Sequence, residues 1–536
     1  MQVKRSGAAY FSFLFIVYLA GGLFLASISK YIGLDETVKR FFARMASPTA
    51  GHFYYPSSPS TPRDGITVFS LDDRDLGAYK ISYPAPYGFH ANRLKNIAAY
   101  RPRAIFIDFW FVDERDDQQV GELADALCSI RSSGVKVYLG SISYMGSQFR
   151  IRSVLRDLMT RQTWVASENS QQACATEVSV AKQTDSLDRL TWEYALFSPA
   201  QAAGQQGLPT AAAQIYRDLN PGRLPPDQTE KLALVWGTDP HPLNEEWMRD
   251  PNSGAAYCRS DWHRVEALPV PGVFKQWFAS DLDKPLCPYH LVLPLRALRE
   301  LNREDHPWRT SLEEVITDKV IFYGSSLQSV DDLVYSPVHG RLPGVLMHAM
   351  ALDNLMDAGA AYPKASEFDL MRLDSLGTLF PVGAVAFLSL FAASRRFLLF
   401  NPTIASRRLP RVIRVRLFEK YTLKSRLTRA ASRGGRMQLM GRAGEHGLAV
   451  QPLFRGLLRK LRKFLLKTLY SLALLLVVAW VGAQLHLGPL TWIEFALLPL
   501  MFDFLKTGQT WIEHLEEIFF EFQPLRSPHS VEGEAA

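Results

Sequence analysis

The chain has 536 residues, is 47% hydrophobic and 21% charged, and carries a net charge of +7. That length has room for two or three domains, and a composition this ordinary excludes a low-complexity or fibrous chain. What is unusual is where the apolar runs and the charges fall.

Residues 8–29 (AAYFSFLFIVYLAGGLFLASIS) contain no charge. At about 1.5 Å per residue they reach across the ~30 Å hydrocarbon core of a bilayer. Lys4 and Arg5 precede the run and Lys30 follows it. It exceeds the usual signal-peptide core, so 1–30 reads as an uncleaved anchor and a cleaved signal is the competing reading. Residues 31–64 suggest a membrane-proximal helix and then a Pro/Ser-rich linker.

Strand and helix signals alternate from there. ITVFSL (66–71) reads as a strand ending in Asp72 and Asp73. Gly88 to Tyr100 suits a helix. AIFIDFWF (104–111) is an apolar run with one acid, Asp108. Gln118 to Ile130 has helical spacing, and VKVYL (135–139) is a strand closed by Gly140. Apolar strands alternating with helices indicate a parallel sheet covered on both faces. Residues 145–290 are irregular, with Pro/Asp turns and a Gln/Ala-rich stretch, and read as a large insertion. A closing unit follows at 318–357: a strand over Val320–Tyr323, a Gly-Ser-Ser turn at Gly324–Ser326, a loop holding Asp331 and Asp332, and a helix over Val345–Met356.

Residues 375–394 and 468–485 are two further apolar runs without an acid or base, and 490–505 is a weaker one interrupted by Glu494 and Asp503. The segment 395–467 between the second and third runs has 20 Lys or Arg against Glu419 and Glu445. Its net charge is thus +18, which leaves −11 for the rest of the chain. Basic loops stay in the cytoplasm. The expected topology is therefore an anchor at 1–30, a periplasmic domain over 31–374, a span at 375–394, a basic cytoplasmic loop at 395–467, a transmembrane hairpin at 468–505 and a cytoplasmic tail at 506–536. The fold class expected is a periplasmic parallel-sheet α/β domain with a large irregular insertion, joined to a helical membrane domain of about four transmembrane helices. Cys128, Cys174, Cys258 and Cys287 all fall in the outer segment. Four cysteines in an oxidising compartment suggest disulfides, with three pairings open. Their spacing contains no Cys-x-x-Cys, which argues against zinc.

Several stretches together resemble a known family: ITVFSLDDRDLG, YPAPYGFHANRL, RPRAIFIDFWFVDERDD, VKVYLG and DKVIFYGSSLQSVDDLVYSP followed by LPGVLMHAMALDNLM. They look like the CHASE type-2 domain, an extracytoplasmic sensory module of bacterial transmembrane receptors, over roughly 66–145 and 315–358. The resemblance implies an anchor before the domain and about three spans after it. It also implies an output domain such as a cyclase or kinase. About thirty residues follow the last apolar run here, too few for a catalytic domain. The expectation is a sensor that signals to a separate cytoplasmic output protein in a bacterial inner membrane.

Asp72, Asp73 and Asp108 sit at or near the ends of what read as neighbouring strands, and Ser325, Ser326, Asp331 and Asp332 follow the last strand. The carboxyl edge of a parallel sheet is where ligands bind. These seven residues are therefore the candidate ligand site, for a small molecule or, less readily, a divalent cation. Capping of loops and helix starts is the structural alternative for the same residues. His90 and His348 read as packed helix residues. No nucleophile, metalloprotease or phosphate-loop motif is present, so no catalytic residue, metal site or cofactor is assigned. The alternatives to a sensor are a structural subunit of an envelope complex and a periplasmic carboxylate-dependent enzyme.

FRGLLRKLRKFLLK (454–467) puts Leu457, Leu458, Leu461, Phe464 and Leu465 on one helical face and its basic residues on the other, a pattern for contact with anionic lipids. Without stacking aromatics, nucleic acid is not an expected partner. The tail pairs Trp511, Leu515, Ile518 and Phe522 with Glu513, Glu516, Glu517 and Glu521 in an acidic amphipathic helix. A periplasmic partner and self-association into a homo-oligomer are compatible with this layout.

Overall fold

The computed structural model describes most of residues 62–365, apart from the stretches 112–117, 145–146, 150–151, 167–172, 181, 183–184, 187, 199–206, 222–230, 250–253, 261–283, 302–310 and 328–331. It also describes 10–20, 50–55 and scattered residues within 40–48, 386–394 and 480–484. The chain divides into two compact units. In the unit made of 1–35, 379–475 and 494–536, residues 10–20 are helical, and Leu14 and Tyr18 pack with Ala393. Among the described residues no helix is long and apolar enough to cross a membrane. The four expected spans, the basic loop and the acidic tail lie largely or wholly outside the described residues.

The other unit, 36–378 with 476–493, is built on a seven-stranded sheet. The strands in chain order are β1 (Ile66–Leu71), β2 (Ala104–Ile107), β3 (Lys136–Tyr144), β4 (Ser147–Phe149), β5 (Thr176–Ser179), β6 (Glu193–Ala195), β7 (Lys231–Ala233), β8 (Leu291–Pro294), β9 (Val320–Ser325), β10 (Leu333–Ser336) and β11 (Gly340–Pro343). The main sheet runs β4-β3-β2-β9-β1-β8, with β5 also paired to β3. Every pairing in it is parallel except β3 with β4. β6 with β7 and β10 with β11 form separate antiparallel pairs. The helices are α1 (Asp73–Tyr79), α2 (Tyr87–Ala98), α3 (Val120–Ser132), α4 (Ser153–Ala166), α5 (Ala211–Leu219), α6 (Asn244–Trp247), α7 (Ala297–Glu300), α8 (Leu312–Ile316) and α9 (Val345–Ala358).

All residues of β1, β2, β8 and β9 are buried. A parallel strand covered on both faces must be apolar at every position rather than at every second one, which is why these segments are continuous apolar runs. Alternation then sorts their side chains. Phe69, Ile105, Ile107, Val137, Leu139, Leu293 and Ile321 pack with Leu94 of α2 and with Leu123 and Leu127 of α3. On the other face, Ile66, Val68, Phe106, Tyr138 and Phe322 pack under α9 and α5.

Two points of sequence reading change. β1 and β2 are not neighbours, because β9 lies between them and pairs with both. The stretch 145–290 is not wholly an insertion, since β5 inside it belongs to the parallel sheet. Short strands without a turn motif give little signal of their own. Elsewhere, β3 runs on through Gly140 to Tyr144. β9 continues through Gly324 to Ser325, the loop after it folds into the β10–β11 hairpin, and α9 ends at Ala358.

The four cysteines form two disulfides, Cys128–Cys174 and Cys258–Cys287. The first ties α3 to the segment before β5. These bonds agree with an oxidising compartment.

Candidate functional site

The carboxyl edge of the sheet is divided by the strand faces. β2 places Phe106 on the α9 side, where its ring meets His348 at 5.4 Å. A period of two carries Asp108 to that same side. Its N–H donates to the Tyr323 carbonyl at 2.8 Å, extending the β2–β9 pairing by one residue. In this register Asp108, Gly324 and Ser70 form one row across β2, β9 and β1. Two strand spacings put the outer two roughly 10 Å apart. Gly324 is glycine because an added Cβ would lie 2.8 Å from Cβ of Val345, the first residue of α9.

Asp108 is 8% exposed. Burial, and after it the negative charge of Asp332, push its pKa well above the usual carboxylate range, against the pull of Lys182. Asp332 precedes β10 and accepts the Gly344 N–H at its backbone carbonyl, 2.9 Å. Its carboxylate lies so close to Gly344 that an added Cβ there would be 2.4 Å from Oδ1. Gly344 is the N-cap of α9, so the ionised form of Asp332 gains from the positive end of that helix. Lys182 Nζ lies 3.6 Å from Asp332 Oδ1 and donates to the Leu333 carbonyl at 3.4 Å. Tyr194 and His348 form the floor: the Tyr194 hydroxyl and His348 Nδ1 are 2.8 Å apart. Burial, then Lys182, hold the His348 imidazole down at about 3, so it is neutral. The Ser70 hydroxyl in the same row is buried without a hydrogen-bond partner among the described residues.

The structure therefore brings Asp108 and Asp332 together and adds Lys182, Tyr194, His348 and Ser70. Reading the sequence missed Lys182, Tyr194 and Ser70, and it passed over His348, which is indeed packed but also borders this pocket of charge. Only Ser70, two residues before the doubled acid, carried a positional signal.

Asp72 belongs elsewhere. It is the N-cap of α1 and accepts from the Asp75 N–H at 2.8 Å, in a reciprocal capping box with Asp75. Its carboxylate also binds Arg296 Nη1 at 2.7 and 2.9 Å. Asp75, fully buried, accepts from the N–H groups of Leu295, Arg296 and Asp72. Asp72, Asp75 and Arg296 thus fasten the end of β1 to the end of β8. This is the capping role that was the structural alternative for Asp72. Asp73 is exposed in the first turn of α1. Ser325 is buried at the end of β9, on the face that carries Tyr323, and Ser326 donates its N–H to the Leu71 carbonyl. Asp331 lies outside the described residues. His90 is packed against Phe109 and bonded to the Tyr323 hydroxyl at 2.8 Å.

Two carboxylates and one ammonium, with the Lys182 and Asp332 side chains partly exposed, can recognise a small polar ligand. Among the described residues no group of three or more His, Cys, Asp or Glu could hold a metal ion.

Residues 13–390 match the CHASE2 domain. No curated protein and no solved structure matches the chain.

Proposed function

This chain belongs to the CHASE2 domain family, whose members are extracytoplasmic sensory domains of signalling proteins, and on that premise we propose that it is a membrane-anchored sensor of a small cationic ligand. The observation that carries the ligand reading is the Asp108 carboxyl group, buried beside the charges of Asp332 and Lys182. Burial beside the Asp332 charge makes ionising this carboxyl costly. A ligand ammonium between Asp108 and Asp332 would recover that cost and ionise Asp108.

The relay runs along α9. Its first turn abuts Asp332 and Gly324, while Asn354 near its other end bonds to Tyr55. Tyr55 ends the segment that follows the N-terminal apolar run. A ligand that prefers one setting of α9 shifts the population of that setting. The uncharged runs at 8–29, 375–394 and 468–485, with the weaker run at 490–505, then carry the change across an inner membrane. The basic segment 395–467 would face the cytoplasm, contact anionic lipid and dock an output protein. The chain is read as a sensor and not an enzyme.

The test uses the full chain in detergent micelles, screened by thermal shift against small amines and their neutral analogues. At least one amine should stabilise the wild type and fail to stabilise Asp108→Asn and Asp332→Asn. Binding that survives both substitutions would sink the site, and labelling of single cysteines in 395–467 from the periplasmic side would sink the topology.

A further inference from the structure

The described residues of the connection from β5 to β6 join the charge pocket to the segment that leads in from the N-terminal run. On the pocket side the connection is attached to β10 twice. Lys182 Nζ lies 3.6 Å from Asp332 Oδ1 and donates to the Leu333 carbonyl at 3.4 Å. The Thr191 N–H donates to the Tyr335 carbonyl at 2.9 Å. A shift of Asp332 and β10 must carry the connection along or break these bonds.

The connection is braced from within. The Asp185 N–H donates to the Leu190 carbonyl, and the Asp185 carbonyl accepts the Arg189 N–H, both at 3.0 Å. The Asp188 carboxylate accepts the Leu190 N–H and Trp192 Nε1, both at 2.9 Å. Asp185 is thus fixed to the residues beside Thr191, and through Thr191 to β10.

On the other side, the Asp185 carboxylate forms an ion pair with Arg40. The described residues from Arg40 to Tyr54 are helical. Ala43, Ser47, Gly51 and Tyr55 recur every four residues and all are buried, so one face of this segment is packed. Gly51 abuts the Trp236 carbonyl, and Trp236 Nε1 donates to the Thr191 carbonyl at 3.1 Å. Arg40 stands nearer in the chain to the run 8–29 than Tyr55 does. The Arg40–Asp185 pair therefore acts on a part of the segment that the Asn354–Tyr55 contact does not reach.

The two ion pairs at the ends of the connection differ in strength. The Lys182 and Asp332 side chains are 34% and 27% exposed. Pairs this open contribute little, so a second cation can displace Lys182. The Arg40 and Asp185 side chains are 15% and 14% exposed. Removing one partner of a pair so largely buried strands the other charge. The weak link faces the pocket and the strong link faces the N-terminal segment. Competition for Asp332 frees the Lys182 end while Asp185 keeps its hold on Arg40.

We propose that the Arg40–Asp185 pair passes the state of the Asp332 carboxylate to the segment that follows the N-terminal run, as a second route beside α9. As a signalling route it rests on the sensor reading, which it deepens by naming how the site is coupled. A mere anchor would hold the same segment in place whatever the state of Asp332.

The experiment is hydrogen exchange of the full chain in detergent micelles, read at the backbone amides of residues 43–55 with those of β1 as the internal reference. It uses no ligand, because Asp332→Asn removes the charge for which Lys182 and a ligand cation compete. Asp332→Asn should speed exchange at 43–55 by about fivefold or more and leave that of β1 unchanged. Added to Asp185→Asn, whose own exchange is already raised, it should change the rate by less than about twofold. Should Asp185→Asn not fold, Arg40→Gln closes the same cycle from the other side of the pair. Arg40→Lys, which keeps the charge, should keep the response. The proposal is overturned if Asp332→Asn leaves residues 43–55 as in the wild type, or if the effects of Asp332→Asn and Asp185→Asn multiply as independent changes do. Failure of every amine in the thermal-shift screen would strike the ligand reading, whereas a multiplicative cycle strikes the coupling alone.

Discussion

The side-chain amide of Asn354 donates a hydrogen bond to the hydroxyl of Tyr55. The same amide pairs with both backbone groups of Val235, donating to its carbonyl at 3.0 Å and accepting its N–H at 2.9 Å. In the helix that Tyr55 ends, Gly51 is as tightly held, since an added Cβ would lie 2.3 Å from the Trp236 carbonyl oxygen. The segment leading in from the N-terminal run is thus clamped to α9 and to the strand-like stretch beside it.

Asn354→Ala should cost about 2–4 kcal/mol, because it leaves two buried backbone groups of Val235 without partners. Tyr55→Phe should cost about 1 kcal/mol, the net worth of a single hydrogen bond. Urea unfolding of the full chain in micelles measures both. Equal costs would show that the Val235 pairing is not what Asn354 contributes. Under the proposed relay, Tyr55→Phe should also weaken signalling while leaving ligand affinity within twofold.

Asp75 sets a pH dependence with an unusual sign. Burial, then the Asp72 charge, push its carboxyl up to about 6, against the backbone N–H groups and the Arg296 guanidinium. A raised carboxyl binds its proton more tightly folded than unfolded. Its stabilising contribution is fully present below the unfolded value near 4 and is lost as pH rises through about 6. The change is up to about 3 kcal/mol, at 1.36 kcal/mol per unit. Asp75→Asn should remove this component, so its stability between pH 4 and 6 should change more favourably with rising pH than that of the wild type. Parallel pH profiles would contradict the assignment.

His339 and His348 act in the other direction. Burial holds His339 near 4 and His348 near 3. An unfolded chain protonates both near 6.5 while the folded one does not, so the unfolded state binds more protons below that pH. Stability should therefore fall with acid, by about 1.4 kcal/mol per pH unit for each group. His348→Gln, which can still bond Tyr194, should reduce the slope between pH 6 and 4 by about one proton. An unchanged slope would mean that His348 is already charged in the folded state.

The sheet was legible where its chemistry is local. β1, β2 and β9 show as apolar runs because each is buried on both faces, and α2, α3 and α9 show through helical spacing. Strand order was not legible. Val320 follows Ala104 by more than two hundred residues, yet β9 inserts between β1 and β2 and sends Asp72 and Asp108 to different surroundings. The candidate site was half legible. Asp108 and Asp332 are acids at strand and loop ends, but Lys182 and Tyr194 come from a stretch with no periodicity. Asp75 was readable in principle, since Asp72-x-x-Asp75 has the spacing of a capping box. Its tie to Arg296 depends on β8 joining β1, which no local pattern encodes.

The disulfides close loops of 46 and 29 residues. By the chain-entropy account each stabilises by about 4 kcal/mol. Cys258→Ser with Cys287→Ser, and Cys128→Ser with Cys174→Ser, should each lower the thermal midpoint and the urea midpoint together. If the Cys128–Cys174 pair is dispensable, α3 is held to β3 and β5 by packing alone.

Gly344→Ala separates the charge site from the fold. The Gly344 backbone is already in the right-handed helical region at φ −57°, which alanine adopts without strain. Its Cβ, however, would meet Asp332 Oδ1 at 2.4 Å and Cγ at 2.9 Å. The carboxylate must swing away, which moves it from Lys182 and from Asp108. Stability should stay within about 1 kcal/mol of the wild type, because a side-chain end can move where a backbone cannot. Ligand affinity at the carboxyl edge should drop tenfold or more, although no charge has been removed. Undiminished affinity in Gly344→Ala would mean that the position of Asp332 against the start of α9 is irrelevant to binding, and with it the route by which α9 is proposed to respond.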